Sequence, residues 1–96
     1  VYVGAGAAAD GLVLRSHRPG ERFVPLGMTG SRKLQDFFVD EKVPRRMRGR
    51  IPVVADADGR VLWVVGHRLA EPARVEVGGD AVRLTARLRP RDKEDA

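Results

Sequence analysis

The feature that most restricts the fold of this chain is a pair of apolar runs joined by a short polar link. The runs are Ile51–Ala55 and Arg60–Val65, and the link Asp56–Gly59 carries two aspartates and a glycine. Valine and isoleucine favour strands, and an Asp-Gly pair favours a tight turn. The spacing therefore predicts a β-hairpin that is apolar along both strands.

Further strands are predicted on either side of this hairpin. Residues 74–77 and 81–88 alternate apolar and polar side chains around the turn residues 78–80, which predicts a second hairpin with one wet and one dry face. Another strand is expected over residues 12–18. The Gly- and Ala-rich opening, residues 1–10, is interpreted as an edge strand followed by a turn.

One amphipathic helix is predicted over residues 31–43. Ser31 is suited to cap its N-terminus, and apolar residues recur at i, i+3 and i+4 from Leu34. A second short helix is predicted over residues 44–50, because its first residue is a proline that both ends the preceding helix and can open a new one. Met47 is expected to be the buried contact of this second helix.

Residues 21–30 are predicted to form a loop, because prolines and glycines interrupt them. The side chains expected to anchor the loop to the core are Phe23, Leu26 and Met28. Together the elements predict an α+β fold, with a β-rich, mostly antiparallel sheet or sandwich packed with one amphipathic helix and one short second helix. A single domain is expected over residues 1–89, followed by a disordered charged tail over residues 90–96.

Positive charge is concentrated in the middle of the chain. The whole sequence has a net charge of +5, whereas residues 15–50 contain ten Lys and Arg against four Asp and Glu, a surplus of six. A polyanion responds to such local charge, because salt screens charges more than about 10 Å away. Arginine, which makes up eight of the ten, suits phosphate because its planar guanidinium donates two parallel hydrogen bonds. A G- and C-rich genome could explain the choice of arginine, but it does not explain the clustering.

A pair of glycines next to the predicted helix is a candidate phosphate-binding loop. Gly27 and Gly30 would let backbone N–H groups approach an anion, and a helix beginning directly afterwards would add the positive end of its dipole. Arg32 and Lys33 in the first helical turn would be unfavourable unless an anion were bound there. The alternative is a tight turn that only packs the loop. The predicted nucleic-acid-binding residues are Arg18, Arg22, Gly27, Gly30, Arg32, Lys33, Arg45, Arg46 and Arg48.

No group of residues in the sequence has the pattern of a catalytic or metal site. The chain has no cysteine, which excludes disulfides, thiolate zinc sites and a cysteine nucleophile. His17 and His67 lack companion ligands and are expected to be surface or half-buried residues. Trp63 lies in an apolar strand and is expected to belong to the core rather than to stack on bases. We therefore expect a binding module without catalytic residues, metal or cofactor.

The sequence also bears on where the protein works. No apolar run approaches the roughly 20 residues that span a bilayer, and the Gly- and Ala-rich opening lacks the basic start of a signal peptide. A cytoplasmic location is expected. Because the first residue is Val1, the chain is interpreted as a piece of a longer protein.

Five motifs in order resemble the C-terminal domain of the tRNA(Ile)-lysidine synthetase family. They are R-P-G-E-R-F, the glycine-containing segment that ends in D-F-F, V-P-R-R-M-R, I-P-V-V and W-V-V-G-H-R. In this sequence they occupy Arg18–Phe23, Pro25–Phe38, Val43–Arg48, Ile51–Val54 and Trp63–Arg68. The resemblance covers more than half of the chain. It departs from the family pattern at His17, where relatives often carry an arginine.

The resemblance implies a domain that handles tRNA at the acceptor-stem side. The parent enzyme of the family is an ATP-dependent ligase that attaches lysine to the wobble cytidine of an isoleucine tRNA. Its N-terminal PP-loop domain binds ATP with magnesium through an S-G-G-x-D-S motif, which this chain lacks. The chain is therefore expected to be non-catalytic by itself, and its implied partners are tRNA and the catalytic domain of the same protein. A homodimer is left open, and no membrane partner is expected.

A different class of function remains as an alternative. The basic face could belong to a protein–protein docking module that binds its own catalytic domain or a second subunit.

Overall fold

The computed structural model describes residues 1–87, which form short helices and antiparallel strands. In chain order the elements are β1 (Tyr2–Gly4), α1 (Ala5–Ala8), β2 (Leu12–Ser16), β3 (Arg22–Phe23), β4 (Arg32–Lys33), α2 (Leu34–Asp40), α3 (Arg45–Arg48), β5 (Pro52–Asp56), β6 (Val61–Val64), β7 (Arg68–Leu69), a 3₁₀ helix (Glu71–Ala73) and β8 (Ala81–Arg83). All strand pairs in this range are antiparallel. The predicted β-rich α+β fold is confirmed.

The central sheet has the strand order β2-β5-β6-β7, and the predicted hairpin over residues 51–65 forms its middle. Asp56 closes the turn of this hairpin: its Oδ1 accepts hydrogen bonds from the backbone N–H groups of Asp58 (3.0 Å) and Arg60 (2.8 Å). Its Oδ2 accepts a bond from the Arg60 guanidinium at 2.9 Å. Burial raises the pKa of Asp56, but the hydrogen bonds from Arg60 outweigh burial and hold that pKa below its usual range.

Helix α2 packs on one face of the central sheet. Its buried residues Leu34, Phe37 and Phe38 share a core cluster with Val53 of β5 and Val64 of β6. The apolar stripe predicted from helical spacing is therefore confirmed. Leu34 and Phe38 are completely buried, so this helix contributes strongly to the hydrophobic stability of the domain.

The predicted start of this helix at Ser31 is wrong. The helix begins at Leu34, and Arg32–Lys33 instead pair with Arg22–Phe23 as a two-stranded ribbon. The ribbon gives the backbone of these residues strand partners, and the N–H of Leu34 donates to the carbonyl of Glu21 at 2.9 Å. These hydrogen bonds between two segments of the chain favour an extended backbone over an earlier helical turn.

A second core cluster lies beneath a ribbon of β1 and β8, where Val3 contacts Leu62 and Ala73. The predicted hairpin between residues 74–77 and 81–88 is wrong, because β8 pairs with β1 and residues 74–77 form no strand. Alternation of apolar and polar residues predicts a strand but does not identify its partner, and here the partner is the distant N-terminal strand.

The Gly- and Ala-rich opening is only partly extended. Its strand β1 stops at Gly4, and a helical turn over Ala5–Ala8, which was not predicted, follows. Alanine has a high helix propensity, which suits this turn. A Cβ atom at Gly4 would lie 2.7 Å from the carbonyl oxygen of Arg74, so only glycine permits this close approach of the two backbones.

The predicted core anchors are partly wrong. Phe23 is buried and Leu26 is half-buried, but Met28 is exposed, and the second buried residue of this loop is Pro25. Met28 is the last residue of an exposed tight turn, closed by the hydrogen bond from its N–H to the carbonyl of Pro25. Met47 is also exposed, because α3 is a single turn and presents no continuous stripe to the core.

None of the helices within residues 1–87 has the length and apolar character needed to cross a bilayer. The predicted end of the domain at residue 89 and the charged tail over residues 90–96 lie outside the described residues and stay predictions.

Candidate nucleic-acid interface

A cleft of about 360 Å³ brings together cations from three distant segments of the chain. Arg18 comes from the loop after β2, Lys33 from β4, and Arg45 and Arg48 from α3. We call this the basic cleft; its lining is His17, Arg18, Pro19, Gly20, Glu21, Lys33, Gln35, Arg45, Arg48 and Gly49. Four cations therefore face one carboxylate.

Glu21 fixes the loop that forms one wall of the basic cleft. Its two carboxylate oxygens accept a bidentate pair of hydrogen bonds from Arg15, at 2.9 and 2.6 Å, and Oε1 also accepts the backbone N–H of Arg18 at 2.9 Å. The hydrogen bond from Arg15 holds the pKa of Glu21 below its usual range and raises the pKa of Arg15. Because Arg15 neutralises Glu21, the field within the cleft remains positive.

The opposite wall is formed by α3 and the residues around it. The Arg48 guanidinium donates through Nε to the carbonyl of Val43 at 3.1 Å, and Ser16 Oγ donates to the carbonyl of Gly49 at 3.2 Å. The first bond links the last residue of α3 to the segment just before the helix, and the second ties the residue after α3 to β2. Within residues 1–87, the ion pairs present involve none of the four cleft cations, so their charges are available to a ligand.

His17 lies between the basic cleft and the core. Its ring contacts Phe38 with centroids 5.2 Å apart, and its buried Nδ1 has no hydrogen-bond partner among residues 1–87. His67 lies near Glu41, with 3.6 Å between Nδ1 and Oε1. Both histidines fit the prediction of surface or half-buried residues, although each lies just outside a strand.

The other predicted arginines have different surroundings. Arg22 donates to the hydroxyl of Ser31 at 3.0 Å and to its carbonyl at 3.3 Å, and so braces the loop. Arg32 forms an ion pair with Asp40. Arg46 is exposed on α3 but does not line the basic cleft. The structure therefore brings together Arg18, Lys33, Arg45 and Arg48 and leaves these three arginines outside.

Gly27 and Gly30 do not form the predicted junction with a helix. Gly27 has φ +86° and occupies a tight turn in which the N–H of Met28 donates to the carbonyl of Pro25 at 3.0 Å. The N–H of Gly27 donates to the carboxylate of Glu71 at 2.7 Å. Because α2 starts only at Leu34, the expected contribution of its dipole beside the glycines is wrong.

Sequence reasoning missed part of the lining of the basic cleft. It did not single out Gly20, Gln35 or Gly49, and it counted Glu21 only as an opposing charge. The available signal was the unbroken R-P-G-E-R-F motif, in which Glu21 shapes the loop that carries Arg18.

Replacing Glu21 by glutamine tests whether the ion pair between Glu21 and Arg15 stabilises the loop that forms one wall of the basic cleft. Glu21→Gln removes charge-assisted hydrogen bonds from a partly buried site, so we expect a loss of about 1–3 kcal/mol in the free energy of unfolding, measured by urea denaturation at pH 7. Because the folded-state pKa of Glu21 is depressed, its contribution is present above the unfolded pKa and is lost as pH falls through the folded pKa.

The difference in the free energy of unfolding between the wild-type chain and Glu21→Gln should therefore shrink as the pH is lowered. Glu76→Gln is the control, because Glu76 is exposed and takes part in none of the ion pairs within residues 1–87. A difference that stays constant from neutral to acid pH would contradict the assigned role.

Known proteins match this chain in both sequence and structure. Residues 12–90 match the family model described as the TilS substrate C-terminal domain. The tRNA(Ile)-lysidine synthase of Geobacter sulfurreducens is 46% identical over 79 residues, covering 82% of this chain and 16% of that protein. The enzyme of the same name from Caldanaerobacter subterraneus is 48% identical over 65 residues, covering 68% of this chain and 14% of that protein. The chain thus spans about one sixth of the length of these relatives.

A solved structure supports the same relationship. The protein described as "Crystal structure of TILS C-terminal domain" superposes with a TM-score of 0.70 and 35% sequence identity, over 83% of this chain and 63% of that chain. The chain therefore belongs to the TilS substrate C-terminal domain family.

Proposed function

We propose that this chain is the tRNA-binding C-terminal domain of a tRNA(Ile)-lysidine synthase and that its basic cleft holds the sugar-phosphate backbone of the tRNA. The observation that supports this proposal most directly is the convergence of Arg18, Lys33, Arg45 and Arg48 on one cleft whose single carboxylate is neutralised by Arg15. Arginine and lysine without competing acids bind phosphate oxygens through short, charge-assisted hydrogen bonds.

The lining favours recognition of the backbone over recognition of bases. His17 is the one aromatic ring among the residues that line the basic cleft, and that ring packs on Phe38. Stacking of several bases on exposed aromatic side chains therefore contributes little. Double-stranded RNA offers phosphates and 2′-hydroxyl groups along a regular A-form surface, so the shape of a tRNA stem suits such a cleft.

In this proposal the domain positions tRNA for chemistry that takes place elsewhere in a longer chain. It binds the acceptor-stem side, while a separate N-terminal PP-loop domain uses ATP with magnesium to attach lysine to the wobble cytidine. The loop that carries Gly27 and Gly30 is not proposed to hold the phosphates of ATP, because the N–H of Gly27, its candidate donor, already donates to Glu71. The proposed location is the cytoplasm, where tRNA is modified.

The dependence of binding on salt tests this proposal. If the four cleft cations contact phosphates, the logarithm of the association constant should fall with the logarithm of the salt concentration with a slope of about −2.8 to −3.6, because each contact releases about 0.7–0.9 counterion. Filter binding of the chain to an unmodified isoleucine tRNA transcript between low and moderate salt measures this slope. A flat response would contradict phosphate binding.

A mixing experiment distinguishes tRNA binding from the alternative function, a protein–protein docking module. The chain is combined with the tRNA transcript and with the N-terminal part of the Geobacter sulfurreducens synthase, and comigration is followed by gel filtration. Comigration with tRNA supports the proposal. Comigration with the protein alone, abolished by reversing Arg45, would assign the basic cleft to docking instead.

A further inference from the structure

A second concave surface, unrelated to the basic cleft, crosses the central sheet on the face opposite α2. The strand register aligns Leu14 of β2 with Val54 of β5 and Val54 with Trp63 of β6. Their neighbours Val53 and Val64 pack with α2 on the other face. Because side chains alternate between faces, Leu14, Val54 and Trp63 form one apolar row across the side away from α2.

This row forms the floor of a groove of about 820 Å³, which we call the apolar groove. Residues 83–87 form one wall and are anchored where the N–H of Leu84 donates to the carbonyl of Val1 at 2.8 Å. The lining is mainly apolar and consists of Leu12, Val13, Leu14, Arg50, Pro52, Val54, Trp63, Val65, Arg83, Leu84, Thr85, Ala86 and Arg87.

Strand β2, which carries the Leu14 end of this row, is an edge strand that exposes large apolar side chains. β2 pairs only with β5 among the described strands, and its Leu14 and Val13 are 67% and 48% exposed. Proteins normally protect an exposed edge with charges or cover it, because it can pair with another chain. An apolar groove beside an unprotected edge has the character of a protein-binding surface.

The charges around the apolar groove indicate the chemistry of its partner. Arg50, Arg83 and Arg87 are part of the lining, and none of the lining residues within residues 1–87 is acidic. Within residues 1–87 the ion pairs present involve none of these three arginines. A partner that buries apolar side chains here and offers carboxylates to the arginines would match both properties of the surface.

We propose that the apolar groove docks a protein segment that combines apolar side chains with aspartate or glutamate. A second copy of this chain fits less well, because a two-fold contact would place the same three arginines on both sides of one interface. RNA also fits less well: Arg50, Arg83 and Arg87 could hold phosphates, but a sugar-phosphate backbone would leave the apolar floor of the groove without apolar contacts. This surface is separate from the basic cleft, and the two share no lining residue.

Fluorescence of Trp63 gives a direct measure of occupancy, since it is the sole tryptophan in the sequence. A peptide library displayed on phage is selected on the immobilised chain, and the selected peptides are titrated into the free chain. We expect them to combine apolar residues with Asp or Glu, and to shift the emission of Trp63. The isoleucine tRNA transcript should leave this emission unchanged, so failure of the docking proposal and failure of tRNA binding are distinguishable.

Two variants and a control localise the binding. Leu14→Glu in the floor of the groove and Arg83→Glu in its lining should each weaken binding of the selected peptides at least tenfold. Val77→Glu makes the same kind of change on a fully exposed valine outside the groove and should have no effect. Arg83→Glu, on an exposed side chain, keeps the test decisive if Leu14→Glu perturbs the fold.

Other outcomes would overturn the proposal. A selection that yields no peptides, or peptides without acids, contradicts the stated partner chemistry. A dimer in sedimentation that Leu14→Glu dissociates assigns the groove to a second copy. A shift in Trp63 emission on deletion of residues 88–96 alone assigns it to the C-terminal segment of this chain.

Discussion

Replacing Arg45 by glutamate should weaken binding of the chain to an isoleucine tRNA transcript by about tenfold, while the same replacement at the neighbouring Arg46 should change it far less. Arg45 lines the basic cleft and Arg46 does not, although both belong to the single turn of α3. Reversal of a charge that contacts a phosphate removes one released counterion, so the salt slope of Arg45→Glu should also fall by about one unit. Filter binding over a salt series measures both effects.

The pair of variants distinguishes tRNA binding in the basic cleft from tRNA binding to a diffuse positive surface. Each changes the net charge by the same amount at an exposed position of the single turn α3, so neither should lower the melting temperature appreciably. The double variant should bind tRNA about as weakly as Arg45→Glu alone. Equal losses for Arg45→Glu and Arg46→Glu would show that overall charge, not the basic cleft, determines binding. A lower melting temperature for Arg45→Glu would assign that residue to the fold.

The elements that the sequence predicted correctly are those specified by neighbouring residues. The central hairpin follows from two apolar runs around Asp56–Gly59, and α2 follows from the spacing of Leu34, Phe37 and Phe38. In both, the pattern itself lies within about 15 residues, so local periodicity contains most of the information needed to predict the element.

The errors concern contacts between distant segments. The pairing of β1 with β8 joins residues 2–4 to residues 81–83, and no local pattern specifies that partner. The late start of α2 has the same cause, because β4 is extended only through its pairing with β3. Propensity favoured a helix from Ser31, and tertiary hydrogen bonds overrode it.

The candidate site was predicted as a charged region but not as a list of contacts. The surplus of cations over residues 15–50 does converge, yet Arg32 is engaged by Asp40 and Arg22 by Ser31. Composition counts charges, whereas the field that a ligand meets depends on which of them are already paired. Arg45 and Arg46 illustrate this limit, because they are adjacent and identical in sequence but differ in position relative to the basic cleft.

Replacing Phe38 by alanine should have the largest effect on stability of the substitutions considered. Phe38 is completely buried in the core cluster beneath α2, and its ring contacts Phe37 and His17 with centroids 5.9 and 5.2 Å away. Removing a buried phenylalanine ring loses its transfer free energy and leaves a cavity, which together cost about 3–5 kcal/mol. For a domain of this size the melting temperature should fall by about 15 °C or more, measured by circular dichroism.

Val39→Ala is the matched control, because Val39 is the next residue of α2 and is 54% exposed. It should change the free energy of unfolding by no more than about 0.5 kcal/mol. Since His17 rests on the ring of Phe38 and lines the basic cleft, Phe38→Ala should also weaken tRNA binding at temperatures where the chain remains folded, whereas Val39→Ala should not. Equal melting temperatures for the two variants would mean that the cluster beneath α2 does not hold the domain together, and that the basic cleft owes its shape to other contacts.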